Sequence, residues 1–278
     1  MSQYGLSLND SAYDQPYVPT GGSAHAYGPN LILHSAPYPL GLLARLGHPD
    51  AMQPEVGQLA RRLYEYLFVQ IASTELAVSP VVVPTRMTAT HPDQHWQGHV
   101  IDHAQRLVVA DVARAGILGS QLFYERFNEI LDPVGVRQDH LFVSRRVDGH
   151  GRVVGADIVG AKIGGPLEGA TLVIPDPMGA TGGSLLQVLE HYATSGAGRA
   201  SKVVFAHLIV TPEYVRRVHA AQPDVRIHAI RLDRGNSSER ALASMPGTFP
   251  AEESGLDQHQ YVVPGAGGLG EVLNNAWV

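Results

Sequence analysis

Cysteine is absent from this chain of 278 residues. That excludes disulfides and thiolate metal sites, and it suits a reducing compartment. No apolar run reaches the roughly 18 residues of a membrane span. The N-terminus has no basic region followed by an apolar core, so no secretory signal is expected and the cytoplasm is the predicted location. Charge is sparse: charged residues make up 17% of the chain and the net charge is −6. Neither nucleic acid nor a membrane is therefore expected as a partner, although a local basic site for an anionic ligand remains open. What the chain does have is apolar residues, 44% of the total, enough for the sizeable core of a soluble globular protein. The length allows one large domain or two small ones.

Residues 1–30 are rich in Gly, Ser, Tyr, Pro and Asn and show no period, which predicts an irregular arm. Tyr4, Tyr13, Tyr17 and Tyr27 could dock on the body or on another subunit; a mobile tail is the plainer reading. From Leu31 the chain firms up into one domain, 31–278. Val56, Leu59, Leu63, Leu67 and Ile71 form one stripe and predict a helix over Pro54–Leu76, with Pro54 in its first turn. Val81–Val83 is a short strand candidate. His91, His95, His99 and His103 recur every four residues in the polar stretch that follows. Pro92 and Gly98 argue against a continuous helix there, and a solvated hairpin or subunit contact fits better than a metal site.

Leu107–Val112 reads as a buried strand, followed by Arg114-Ala115-Gly116 and a helix from about Gly119 to Leu131. Leu141–Val143 reads as another short strand that runs into Arg145 and Arg146. Asp148–Gly151 is a predicted turn, and Val153–Ile163 a strand or hairpin arm. Later, Val203–Val210 is a strand. Thr211, Pro212 and Glu213 open a helix as N-cap, first position and first-turn acid, and Pro223-Asp224 ends it before a strand over Val225–Leu232. Such alternation predicts a parallel α/β sheet with right-handed crossovers. Residues 233–260 turn polar without a period and read as a long loop or insertion. Tyr261–Gly270 reads as a short strand entering a Gly-rich turn.

Between these lies the stretch that organises the rest. Thr171–Ile174 is an apolar strand run, and Asp176 follows at its carboxyl end. Pro177, Met178, Gly179, Ala180, Thr181, Gly182, Gly183 and Ser184 make a small-residue loop. Leu185, Leu186, Val188, Leu189 and Tyr192 then recur at helical spacing, with Gly196 as a stop. Ligands of open parallel sheets bind just beyond such strand ends. Glycines let backbone N–H groups approach a phosphate closely, and the helix dipole favours its charge. Thr181 and Ser184 add hydroxyls, and ionised Asp176 accepts from a diol such as a ribose O2′/O3′ pair. A plain Gly-rich turn would not need the acid, the hydroxyls and the flanking periodicity together.

Asp176 to Ser184 resembles the phosphoribosyl-diphosphate (PRPP) loop of type I phosphoribosyltransferases, and its Asp-Pro-Met opening is similar to uracil phosphoribosyltransferases. The resemblance implies a parallel open sheet flanked by helices, with a small hood built from N- and C-terminal segments. It implies that Arg114, in an Arg-Ala-Gly loop, and Arg145 or Arg146 reach the diphosphate of PRPP. It implies that Asp176 and Arg114 are catalytic and that the Asp176–Ser184 loop grips the ribose and its 5′-phosphate. Backbone groups near Val262 and at Gly267, Gly268 and Leu269 would read uracil, and Gly268 would border PRPP. Mg²⁺ would be bound mainly through PRPP, without dedicated protein ligands. Partners would be PRPP, a uracil-type base and other copies of the chain. The products would be UMP and diphosphate.

Two positions depart from the family. It usually has Leu where Gly179 stands, and Asp, near PRPP and its metal, where Gly268 stands. The 233–260 stretch is also longer than the family leads one to expect. Asp257 or Glu271 could supply the missing carboxylate, or the base pocket could be rebuilt. Two alternatives follow: a PRPP-dependent transferase acting on a different base or nucleophile, and a PRPP- or nucleotide-sensing homologue without turnover.

Overall fold

The computed structural model describes residues 13, 17, 22–147 and 153–276. Two elements open the domain that the sequence reading does not single out: β1 (Leu31–Leu33) and α1 (Pro37–Leu46). Helix α2 (Glu55–Glu75) buries the whole predicted stripe, with Pro54 as its cap rather than inside its first turn. β2 (Val78–Pro84) and β3 (His95–Ile101) pair antiparallel as a separate two-stranded arm that carries His95 and His99. No group of three or more His, Asp or Glu that could hold a metal ion forms among the described residues.

The main sheet is built from β4 (Arg106–Ala113), β5 (Val136–Val147), β6 (Val153–Lys162), β7 (Ala170–Pro175), β8 (Met178–Gly179), β9 (Lys202–Val210) and β10 (Arg226–Leu232), joined by β1. Its order is β1-β10-β9-β7-β4-β5-β6, with the short β8 also beside β9. All neighbours run parallel except β6, which returns antiparallel along β5. β4, β7 and β9 are covered on both faces, which is why they read as nearly unbroken apolar runs. On one face lie α1, α2 and α3 (Ile117–Ile130). On the other lie α4 (Gly183–Thr194) and α5 (Pro212–Ala221). Two four-residue helices, α6 (Glu239–Leu242) and α7 (Leu269–Val272), close the chain. No helix among the described residues is long and apolar enough to cross a membrane.

Three expectations need correction. β5 is much longer than Leu141–Val143, because its polar residues are satisfied across the sheet. Buried Asp139 accepts from Arg137 Nε (2.9 Å), Gly164 N–H (2.9 Å) and Tyr192 O–H (3.0 Å). Arg145 and Arg146 consequently belong to β5 instead of following it; their side chains and the predicted Asp148–Gly151 turn lie outside the described residues. Tyr261–Val263 is not a strand either: it makes a single bridge, Leu256 to Val262.

Tyr4 of the N-terminal arm lies outside the described residues. Tyr13 packs edge-on against Trp96 at 6.0 Å, Tyr17 is exposed, and Tyr27 donates to buried Glu253 at 2.5 Å. The hood takes shape where Gln53 Nε2, between α1 and α2, donates to the Leu273 carbonyl (2.9 Å), while Leu269 is buried in the same core as Leu43 and Leu46.

Candidate active site

β7 ends at Pro175, and Asp176 stands at the carboxyl edge of the sheet's centre. Its N–H donates to the Ala206 carbonyl on β9 (3.0 Å). Its Oδ1 accepts the Met178 N–H at 2.9 Å, so the carboxylate bends into the loop that follows. Pro177 is buried, and its carbonyl accepts from Leu208 and Ile209 (3.1 and 3.0 Å). Gly179 fits for a local reason. A Cβ there would lie 2.9 Å from Val210 Cγ1 and 3.1 Å from the Tyr214 ring. The Leu expected from the resemblance has no room.

The loop then turns into α4. Ala180 is held by the Thr211 hydroxyl, which donates to its carbonyl at 2.6 Å. Gly182 caps α4 with φ +78°, a conformation suited to glycine. The N–H groups of Thr181, Gly182, Gly183 and Ser184 find no acceptor among the described residues. They form the positive end of a twelve-residue helix and suit an anion. Arg217, on α5, donates to the Thr181 carbonyl at 3.3 Å, and its Nη1 lies 3.6 Å from where a Gly183 Cβ would be. A guanidinium therefore borders the amide cluster.

The other predicted segments converge on the same edge. A Cβ on Gly116, in the loop after β4, would sit 2.9 Å from the Pro175 carbonyl oxygen. Ala115 Cβ lies 3.5 Å from the corresponding point on Gly270. Arg114 Nη1 donates to the Ala276 carbonyl (3.4 Å), and Ala276 N–H donates to the Glu271 carbonyl (3.1 Å). The Arg114 loop, the end of β7 and the C-terminal turn thus meet. At that turn a Cβ on Gly268 would collide with the Glu271 carboxylate, so this acid fills the space of a side chain at 268. Asp257 does not do so: its Oδ1 is engaged by the N–H groups of His259 and Tyr261, both at 2.8 Å.

Val262 and Leu269 are buried, and Gly267 is exposed with φ +72°. The polar 233–260 stretch serves as scaffold for this segment. Gly235 donates to the Val263 carbonyl (2.9 Å), and Val263 donates to the Gly255 carbonyl (2.8 Å). Buried Asp233 binds Arg231 through both oxygens (2.5 and 2.7 Å) and accepts the Gly265 N–H (2.8 Å).

Residues 37–248 match the family model for uracil phosphoribosyltransferase. The chain belongs to the uracil phosphoribosyltransferase family. A uracil phosphoribosyltransferase of Rhodococcus jostii is 30% identical over 184 residues, covering 66% of this chain and 71% of that protein. One from Lacticaseibacillus paracasei is 36% identical over 107 residues, 38% of this chain and 40% of that protein. Among solved structures, the AQ2163 protein of Aquifex aeolicus shares the fold, with a TM-score of 0.64 at 18% identity over 89% of this chain and 99% of that one. The family match ends before Val262, Gly267, Gly268 and Leu269.

Within this uracil phosphoribosyltransferase-family fold, sequence reasoning missed several residues around Asp176. His207 lies beneath it, fully buried, with Nδ1 2.6 Å from the Asp176 carbonyl oxygen and Nε2 2.6 Å from Tyr214 Oη. Burial pushes its pKa down to about 4, against the pull of the carbonyl bond, so the ring is neutral at pH 7. The only sequence signal was one polar residue inside the apolar Val203–Val210 run. On the other face, the hydroxyl of buried Tyr64 has no hydrogen-bond partner among the described residues. Burial, and then the charge of Asp176, raise the pKa of both phenols, Tyr64 and Tyr214.

Proposed function

We propose that this protein transfers the 5-phosphoribosyl group of PRPP to uracil, giving UMP and diphosphate. The observation that carries the reading is Asp176 at the end of the central strand, followed at once by the open N–H groups of Thr181 to Ser184. Those amides and the Thr181 and Ser184 hydroxyls grip the 5′-phosphate. Asp176 binds the ribose hydroxyls and faces the positive charge that grows at C1 as the bond to diphosphate breaks. Arg114 neutralises the leaving diphosphate, with a forked guanidinium that suits phosphate oxygens, and Arg145 or Arg146 assists. Holding both reactants in line supplies the rest of the rate.

A Mg²⁺ ion carried in on PRPP would take most of its ligands from substrate and water, and Glu271, whose carboxylate lies over Gly268, would be the protein carboxylate in place of the family's Asp. When bound, the ion supplies further charge neutralisation to the diphosphate oxygens. Main-chain groups near Val262 and at Gly267 to Leu269 read the base. Diphosphate release from PRPP across a panel of bases, with and without Mg²⁺, tests the assignment. Uracil should be the best acceptor. Release with another base and none with uracil would instead support the remodelled pocket that Gly268 and the 233–260 scaffold suggest. Saturable PRPP binding without release would indicate a sensor.

Arg217 offers a narrower test. Its guanidinium faces the phosphate loop but is exposed, so salt screens part of its attraction. Arg217→Ala should raise the PRPP concentration for half-maximal rate about threefold to tenfold at low salt, and less at high salt. Initial rates against PRPP at two ionic strengths decide it; an unchanged requirement at low salt would remove Arg217 from the site.

A further inference from the structure

Asp176 is held by its main chain as well as its side chain: besides the bond to Ala206, its carbonyl meets His207, which Tyr214 in turn engages. His207 on β9 and Tyr214 on α5 are both fully buried on the same face of the sheet. A carbonyl oxygen can only accept, so the His207 nitrogen 2.6 Å from Asp176 O carries the proton. Its other nitrogen is then a lone pair, and the Tyr214 hydroxyl at 2.6 Å must donate to it. The chain therefore has one direction, from Tyr214 O–H to His207 Nε2 and from His207 Nδ1–H to Asp176 O.

Nothing in the sheet itself requires an imidazole there: its neighbours Phe205 and Ile209 are fully buried and apolar. Burying two polar groups costs free energy unless each bond is made, and here both are. The Tyr214 ring stands edge-on to the imidazole, with centroids 4.8 Å apart, and it also occupies the space over Gly179. The loss of a side chain at 179 and the presence of this pair are thus one spatial arrangement. Thr211 joins it by accepting the Tyr214 N–H at 3.1 Å while donating to Ala180 O.

We propose that Tyr214 and His207 are positioning residues: by fixing the imidazole proton on Nδ1 they pin the Asp176 peptide at the strand end and so aim the Asp176 carboxylate at the ribose hydroxyls. The proposal rests on the phosphoribosyl-transfer reading. It explains why the tyrosine is needed as well as the histidine. Without a donor at Nε2 the ring can hold its proton there and turn a lone pair toward the Asp176 carbonyl, which repels it.

The test compares Tyr214→Phe, His207→Leu and His207→Asn with wild type. Phenylalanine keeps the ring packing, and asparagine can set an amide nitrogen near the place of Nδ1. In Tyr214→Phe and His207→Leu, kcat should fall at least about tenfold while KM for PRPP stays within about threefold; His207→Asn should lose far less than His207→Leu. ¹⁵N shifts of the imidazole in the free wild-type protein should report the Nδ1–H tautomer, a readout that needs no turnover. Wild-type kcat in Tyr214→Phe, equal losses in the Asn and Leu variants, or an Nε2–H tautomer would overturn the relay. Wild-type protein that releases no diphosphate and binds no PRPP would instead overturn the transfer reading, and the purpose of the relay with it.

Discussion

Asp176→Asn should lower turnover at least about tenfold, roughly 1.4 kcal/mol of transition-state stabilisation, and leave the thermal midpoint where it is. The substitution separates two tasks of one side chain. As an acceptor, Asp176 Oδ1 holds the Met178 N–H at 2.9 Å and shapes the loop entry. The amide oxygen of asparagine can keep that bond. As a charge, Asp176 would face the ribose in the proposed reaction, where positive character grows as the C1–O bond breaks, and the neutral amide cannot replace it. The loss should fall mainly on kcat, because the proposed grip on the 5′-phosphate comes from the separate amides of residues 181–184. Wild-type kcat in the variant would detach Asp176 from the chemistry. A collapse of the thermal midpoint would mean that the carboxylate serves the fold.

The loop was legible in the sequence because everything that makes it is contiguous. An apolar strand, an acid, small residues and a helical stripe follow one another from Thr171 to Tyr192, so no long-range contact had to be guessed. Helix α2 was legible for the same reason: one stripe of aliphatic residues carries it. Helix α1 was not, because Pro37, Pro39 and Gly41 crowd its first half. Prolines are tolerated there only because first-turn N–H groups have no helical partner. β5 was shortened by its polar residues, whose partners, such as Tyr192 for Asp139, lie far away in sequence. His207 was hidden likewise, with its two partners 31 and 7 residues distant. Gly179 could be seen as a departure from the family, but its cause, the Tyr214 ring, needed coordinates.

Gly268 is the other departure, and its neighbour Glu271 leads to the second large effect. The carboxylate of Glu271 lies where a side chain on Gly268 would project; the neighbouring Gly270 approaches Ala115, and the Glu271 main-chain carbonyl is linked through Ala276 to Arg114. Two acids cannot share that volume. Gly268→Asp alone should swing the half-buried Glu271 side chain aside at little cost to the fold and set two like charges together, which should lower kcat/KM for PRPP. Glu271→Ala alone should lower kcat/KM for PRPP at least about tenfold and raise the Mg²⁺ requirement, because in the proposed site the carboxylate that would help hold the PRPP-borne Mg²⁺ is gone. The double variant should recover much of what each single variant loses, since it carries one carboxylate in one space. Neighbouring groups that replace each other give a large coupling in a double-mutant cycle, whereas independent groups add. The measurement is kcat/KM for PRPP in all four proteins at several Mg²⁺ concentrations. Simple addition of the two losses would mean that Glu271 fills space over Gly268 without taking part in PRPP binding, and the carboxylate partner of the diphosphate would have to be sought elsewhere on the carboxyl edge of the sheet.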